Sequence, residues 1–246
     1  MYVLKQWHEK EIYNKEIVFT FSNCNMHRKI KLSTLLTFFS DIAGEDYTVR
    51  GLSHSFLSDK GFVFLVSSYS VNFIRTPSEG EMLTIKTWEQ GVSGPKINRE
   101  YNIVDKNNET VISAKSIWCV VDPNTHRILR PKKFPYKEFT TNECSSIAKN
   151  CEKIKYDELI KVAERKVGYS DIDGNGHVNN SKYGDFIIDS LSIEYAEKEI
   201  KDFQIEFICE AKFGDVIEIY ANFRENEIIT VGRVNDKDSF RAKIIY

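Results

Sequence analysis

Nothing in the 246 residues comes near the roughly 18 consecutive apolar positions that a membrane-crossing helix needs, which excludes a span of that kind. Met1 to Lys15 mixes Lys, His, Glu and Trp where a secretory leader would carry an apolar core, so no signal peptide is expected. Cysteine is sparse. Cys24, Cys119, Cys144, Cys151 and Cys209 are odd in number and scattered, and none forms a C-x-x-C pair. Neither a zinc site nor a disulfide framework follows, and no metal or other cofactor is implied. The net charge of −2 removes the electrostatic reason to expect nucleic acid as the main partner. The expectation is a reduced, cytoplasmic protein in which the sequons at Asn108 and Asn179 carry no meaning.

What is present is ordinary globular material, with 41% hydrophobic residues, enough to bury a core. Aromatics at 13%, mostly Phe and Tyr, lean towards sheet. Ile17 to Phe21 reads as a strand. Leu32–Asp46 reads as a helix, because Leu32, Leu35, Leu36, Phe39, Ile42 and Ala43 recur at helical spacing. Gly61 to Ile74 predicts a long buried strand and Met82–Trp88 an alternating one. Arg99–Val104 and Thr110–Val121 flank the turn Asp105–Asn108 as a hairpin. Pro131 and Pro135 then punctuate the chain, and the polar run 136–155 is the best linker candidate. This divides the sequence into an N-terminal domain (1–135), the linker (136–155) and a C-terminal domain (156–246). In the last, Lys161–Tyr169 predicts a strand, Asn180–Tyr195 a helix, and Phe203–Cys209, Val216–Phe223, Ile228–Val234 and Phe240–Tyr246 four further strands.

The plan therefore occurs twice, and one aligned pair of segments supports duplication directly. Val71-Asn-Phe-Ile-Arg-Thr-Pro-Ser-Glu-Gly-Glu-Met-Leu83 lies without a gap over Ile205-Glu-Phe-Ile-Cys-Glu-Ala-Lys-Phe-Gly-Asp-Val-Ile217. Phe21-Ser-Asn-Cys-Asn25 likewise lies over Tyr169-Ser-Asp-Ile-Asp173. Strand, helix, then a run of antiparallel strands, repeated in tandem, predicts an α+β fold: a double hot-dog, two curved antiparallel sheets each wrapping a central helix. Pairing the two sheets edge to edge removes the edges a single copy would leave open.

Functional side chains are densest from Tyr169 to Tyr183. The segment is a Gly-, Asn- and Asp-rich turn leading into a helix capped near Asn179 or Asn180. A helix start offers unpaired amides and a positive dipole end, the groups that stabilise a carbonyl oxygen gaining charge during attack. Asp171, Asp173, Asn175 and Gly176 also fit the first half of a calcium-binding EF-hand loop. The closing bidentate Glu of such a loop is here Lys182, however, so a cation stands where the metal needs its strongest anionic ligand.

Asp171-Ile-Asp-Gly-Asn-Gly-His-Val-Asn-Asn-Ser-Lys-Tyr183 resembles the active-site signature of the fatty acyl-ACP thioesterases of plants and bacteria, in which Asp-x-Asn-x-His-Val-Asn-Asn opens the helix of the second hot-dog domain. Ser116-Ile-Trp-Cys-Val-Val-Asp122, followed by Thr125-His-Arg127 and Arg130-Pro131, is similar to that family's Trp-containing strand and the turn after it. The resemblance covers nearly the whole chain. It implies hydrolysis of a fatty acyl thioester carried on acyl carrier protein, with Asp173, Asn175 and His177 as catalytic residues. Glu210, in Ile205-Glu-Phe-Ile-Cys-Glu-Ala211, joins them. Plant members usually read Glu-Cys at that point; here the matching position is Ala211. Cys209, on the other side of Glu210, is expected to be a structural core residue.

Either Glu210 and His177 position and deprotonate a water, or Asp173 attacks directly to give a transient anhydride. Asn175 would orient the base or the thioester. Taken singly, Asp173 and Asn175 read as turn residues, His177 as a satisfied structural histidine and Glu210 as an exposed strand residue; their joint occurrence carries the functional reading. The aligned first-repeat positions are Asn25, Lys29 and Thr76, so one active site per chain is expected.

In related proteins the acyl tail lies in the N-terminal hot-dog, which makes Leu35, Phe38, Phe39 and Phe64 candidate liners. Arg127, Arg130, Lys132 and Lys133 form the best basic cluster for docking the acidic carrier. An acyl-CoA thioesterase, a hot-dog dehydratase and a non-enzymatic acyl-thioester-binding regulator remain as alternatives, and association of chains into a homodimer stays open.

Overall fold

The computed structural model describes residues 5–125 and 127–246. His126, part of the expected Thr-His-Arg turn, lies outside the described residues, as do residues 1–4. The first half runs β1 (Gln6–Glu9), β2 (Ile12–Val18), α1 (Leu32–Val49), α2 (His54–Asp59), β3 (Val63–Phe73), β4 (Met82–Ser93), β5 (Lys96–Val104), β6 (Thr110–Val121) and β7 (Ile128–Leu129). The second runs β8 (Ile160–Lys166), α3 (Lys182–Asp189), α4 (Ile193–Ala196), β9 (Asp202–Phe207), β10 (Val216–Phe223), β11 (Glu227–Val234) and β12 (Lys237–Ile245).

All the strands belong to one antiparallel sheet, ordered β1-β2-β4-β5-β6-β3-β9-β12-β11-β10-β8, with β7 on β6. From the outside inwards, β2-β4-β5-β6-β3 and β8-β10-β11-β12-β9 are the same arrangement. The two copies join at their inner edges, Ser68 opposite Glu206 through Asn72 opposite Asp202. The double hot-dog is therefore the observed fold, and the edge-to-edge junction is its centre.

Each copy buries its helix against its own strands. In the first, Leu35, Leu36, Phe39 and Ile42 of α1 pack with Tyr69, Ile85, Tyr101 and Ile103; in the second, Tyr183, Phe186 and Ile187 of α3 pack with Phe203, Ile217 and Phe240. Leu35 and Phe39 are fully buried, which stabilises the fold by about 2 kcal/mol each. The two clusters merge into one core because the helices also touch. A Cβ added at Gly184 would lie 2.8 Å from the backbone nitrogen of Ser33, an approach only glycine permits. Beside it, Ser33 Oγ donates to Asp185 Oδ1 at 2.5 Å.

Several expected elements end differently. The strand read as Ile17–Phe21 is Ile12–Val18, because residues 21–23 form a single 3-10 turn. That read as Lys161–Tyr169 stops at Lys166 for the same reason, before the turn at 169–171. The helix expected over Asn180–Tyr195 is two short ones. Ser190 Oγ donates back to the Ile187 carbonyl at 2.7 Å and closes the first, and Ser192 is extended before the second. β1 and α2 are too short to produce a periodic signal.

The run 134–159 holds no helix or strand and lies along the sheet. Trp88 Nε1 donates to the Cys144 carbonyl at 3.2 Å, Ser113 and Ser146 hydroxyls meet at 2.7 Å, and the Ile154 amide donates to Glu206 at 2.8 Å. Among the described residues no helix is long and apolar enough to cross a membrane, and no three metal-ligating side chains cluster.

Candidate active site

The signature loop is built first by its backbone. The Asp173 amide donates to the His177 carbonyl at 2.8 Å and the Gly176 amide to the Asp173 carbonyl at 3.1 Å, with Gly176 at φ +84° to complete the reversal. Asp173 Oδ1 accepts from the amides of Asn175 (2.8 Å) and His177 (3.5 Å), an Asx turn. The first repeat folds the same loop around Asn25. Its amide donates to the Lys29 carbonyl at 2.8 Å, and its Oδ1 accepts from the His27 and Lys29 amides at 3.0 and 3.1 Å. One duty of Asp173 is thus structural and within the reach of an asparagine.

The chemistry differs between the repeats. In the second, His177 Nε2 lies 2.9 Å from Glu210 Oε2. The imidazole is 20% exposed and the carboxylate 47%, so the pair borders solvent. Glu210 sits in the bend just past β9, which the Val178 amide ties to the signature loop by donating to the Ala211 carbonyl at 2.8 Å. At the matching place in the first repeat, Lys29 Nζ donates to the Thr76 carbonyl (3.2 Å) and to Ser78 Oγ (3.0 Å). Neither aligned position holds an acid or an imidazole; the nearest imidazole of that loop, His27, meets Glu197 of the other half at 3.2 Å. Cys209 is exposed in the same bend rather than part of the core, because β9 ends at Phe207 and the chain turns outwards.

A cavity of about 290 Å³ opens between the halves. Its polar end is formed by Asp173, Asn175, Asn179 and Asn180, and its apolar wall includes Leu57, Phe64, Ile97 and Trp118. Of the expected acyl liners only Phe64 faces it. Leu35 and Phe39 are buried in the core, and Phe38 packs edge-on against Phe19 at 5.4 Å. The reason is rotation about α1: the stripe through 35, 39 and 42 faces the strands, whereas Ser40, Ala43, Gly44, Tyr47 and Thr48 present the neighbouring stripe to the cavity. His177 and Glu210 are not among the lining residues, although His177 belongs to the loop that supplies Asp173 and Asn175.

The expected helix-start donors are only partly available. The Ser181 amide donates to Asn179 Oδ1 at 2.9 Å and the Lys182 amide to the Asn179 carbonyl at 2.9 Å. The side-chain NH2 groups of Asn175, Asn179 and Asn180 all belong to residues that line the cavity and donate no hydrogen bond to protein groups among the described residues, so they are free donors at its polar end.

Sequence reading also missed a buried ionic group that reaches the cavity. Arg99 meets Asp46 Oδ2 at 3.0 Å and Glu89 Oε1 at 3.6 Å. Tyr47 donates to Glu89 at 2.6 Å. Burial pushes the Asp46 carboxyl up, but Arg99, His8 and Arg50 together outweigh it and hold the group below its ordinary value. Burial raises the Tyr47 phenol well above its ordinary value. The sign in the sequence was an arginine on the strand face it shares with Ile97, Tyr101 and Ile103.

Arg127, Arg130, Lys132 and Lys133 are all exposed, and none lies within 4.0 Å of a carboxylate among the described residues. The next residue, Phe134, is buried and packs against Phe62 and Phe64 at 5.3 and 5.4 Å, which places this basic turn behind the cavity wall. A second cavity, of about 770 Å³, takes the equivalent position in the other half; Asn25, His27, Lys29 and Thr76 face Lys182 and Asp185 across it.

Comparison with known proteins bears on these features. The family model described as acyl-ACP thioesterase N-terminal domain matches residues 10–135, and that described as acyl-ACP thioesterase C-terminal domain matches residues 154–244. A palmitoyl-acyl carrier protein thioesterase, chloroplastic, of Arabidopsis thaliana is 24% identical over 65% of the chain and 41% of its own length. One of Cuphea hookeriana is 24% identical over 78% of the chain and 50% of its own length. The chain thus spans half or less of these relatives. Among solved structures, an acyl-ACP thioesterase from Bacteroides thetaiotaomicron superposes with a TM-score of 0.86 at 23% identity, covering 96% of this chain and 97% of that one. The 12:0-ACP thioesterase from Umbellularia californica gives 0.81 at 15% identity, covering 97% and 98%. These two likenesses speak for the fold.

Proposed function

The chain belongs to the acyl-ACP thioesterase family, and on that premise we propose that it hydrolyses the thioester of a fatty acyl group borne by acyl carrier protein, releasing the free fatty acid and the carrier thiol. The observation that carries the reading is the 2.9 Å contact between His177 and Glu210, beside a loop whose Asp173 and Asn175 line a cavity with an apolar wall.

Of the two routes open to such a group, water attack has the better support. Asp173 Oδ1 already accepts from two amides, which lowers its nucleophilicity. Glu210, half-exposed, can hold a water against the imidazole. The pair removes a proton from that water as its oxygen bonds to the thioester carbon. The carbonyl oxygen, now an oxyanion, takes hydrogen bonds from the Asn175 and Asn180 side chains. The intermediate collapses by breaking the carbon–sulfur bond, and the thiolate needs little proton assistance to leave. The tail would lie along Phe64, Leu57, Ile97 and Trp118, and the basic turn at Arg127, Arg130, Lys132 and Lys133 would receive the acidic carrier. A cytoplasmic setting accords with the cysteine usage of the sequence.

The test is release of free thiol from acyl carrier protein loaded with saturated chains of increasing length, run beside the corresponding coenzyme A esters. Thiol release from the carrier esters supports the proposal. A preference for coenzyme A esters would make the chain an acyl-CoA thioesterase, and dehydration without thiol release would remove hydrolysis altogether.

A further inference from the structure

We infer that Tyr183 and Ser239 are positioning residues, which hold Glu210 in register with His177 by anchoring the Cys209 carbonyl. The inference rests on the hydrolase reading above, in which Glu210 acts on the water. Ser239 Oγ donates to the Cys209 carbonyl at 2.8 Å, and the Tyr183 hydroxyl lies 3.1 Å from Ser239 Oγ. A serine has one hydroxyl hydrogen, and the carbonyl takes it, so Tyr183 must donate to Ser239. Burial keeps the phenol above its ordinary pKa, and the proton that makes it a donor stays in place. The relay therefore runs one way, from Tyr183 through Ser239 to the peptide joining Cys209 and Glu210. That peptide is planar, and fixing its carbonyl fixes the direction of the Glu210 amide and Cα. This matters because the Glu210 side chain, 47% exposed, has little packing of its own to orient it.

The first repeat supplies an internal control. There the Ile74 and Arg75 amides donate to the Val111 carbonyl at 3.0 and 3.2 Å, just as those of Ile208 and Cys209 donate to the Ser239 carbonyl at 2.8 and 3.2 Å. The Ile30 amide donates to Pro77 at 3.1 Å, as Val178 does to Ala211. The backbone bend is thus common to both repeats. In the first, Leu35 and Val111 stand where the second has Tyr183 and Ser239, and all four are buried. An apolar pair builds the bend, and burying hydroxyls adds a desolvation cost that an apolar pair avoids. The hydroxyls occur where the bend carries a carboxylate; the first repeat has Thr76 there and no relay.

The experiment is a mutant cycle on carrier-bound acyl thioester, with Tyr183→Phe and Ser239→Ala each made in the wild type and in Glu210→Gln. Each single variant should lower kcat about tenfold while KM stays within about twofold. Neither should lower kcat further in the Glu210→Gln background, because both act through the group already removed. An equal fractional loss in both backgrounds, or an unchanged kcat in both single variants, overturns the inference while leaving the hydrolase reading intact. A wild-type kcat in Glu210→Gln alone instead removes Glu210 from the mechanism and the inference with it. If Tyr183→Phe fails to fold, Ser239→Ala, which deletes a single oxygen, carries the test.

Discussion

The imidazole of His177 and the carboxylate of Glu210 meet at 2.9 Å, whereas at their first-repeat counterparts the Lys29 ammonium reaches the Thr76 carbonyl at 3.2 Å and the Ser78 hydroxyl at 3.0 Å. His177→Ala and Glu210→Gln should each lower kcat by about 10²–10⁴. Both side chains border solvent, so melting temperatures should hardly move. Lys29→Ala should retain wild-type turnover. Steady-state kinetics and thermal unfolding on the same preparations check all three, and full activity in His177→Ala would remove the imidazole from the mechanism.

Asp173 offers a finer test, because Asn25 makes the same loop with an amide in place of the acid. Asp173→Asn should fold normally and lose less turnover than Glu210→Gln, whereas Asp173→Ala, which also deletes the acceptor of two amides, should lose more. Single turnover in ¹⁸O-labelled water should place the label in the fatty acid and none in Asp173. Label recovered in the Asp173 peptide by mass spectrometry would establish the anhydride route instead.

The basic turn should matter to the carrier and not to the acyl chain. Arg130→Glu combined with Lys133→Glu should raise KM for the carrier-bound substrate about tenfold, since two repulsive contacts replace two attractive ones. KM for the coenzyme A ester should not change. A parallel rise for both substrates would point to the cavity wall behind Phe134 rather than to docking.

Asp46 carries a prediction about acid. Its folded-state pKa is depressed, so its ionised form stabilises the protein above the ordinary aspartate value, and that contribution disappears as pH falls through the lower folded value. Asp46→Asn leaves Arg99 buried without its closest anion and should cost about 3 kcal/mol at neutral pH. The gap between wild type and variant, read from urea midpoints, should narrow below about pH 4. A gap that widens in acid would contradict the assigned direction.

The fold was readable because apolar periodicity and duplication are both carried by the order of residues along the chain, without knowledge of register or rotation. The stripe through Leu35, Phe39 and Ile42 predicted α1, yet periodicity marks the face that meets the core, not the face that meets a ligand. The cavity stripe mixes Ser40, Gly44 and Thr48 with Ala43 and Tyr47 and so has no distinct apolar signature, which is why Leu35, Phe38 and Phe39 do not line the described cavity. His177 and Glu210 became legible together only through the resemblance, since they lie on different elements brought together by the Val178–Ala211 backbone contact. The Tyr183–Ser239 contact and the Arg99–Asp46–Glu89 group depend on strand register and helix rotation, which no local pattern records. The helix over Asn180–Tyr195 failed at Ser190, where a serine hydroxyl competes for the carbonyl its helix would use.

The seam between β3 and β9 places both loops, and the surfaces they face, on a single polypeptide. In a symmetric pair of identical subunits every change in one loop would be imposed on the other. Covalent fusion lifts that constraint: one loop can retain an acid and an imidazole while its twin drifts to Asn25, Lys29 and Thr76. It also makes assembly of the two halves intramolecular, so activity per molecule should hold constant on dilution.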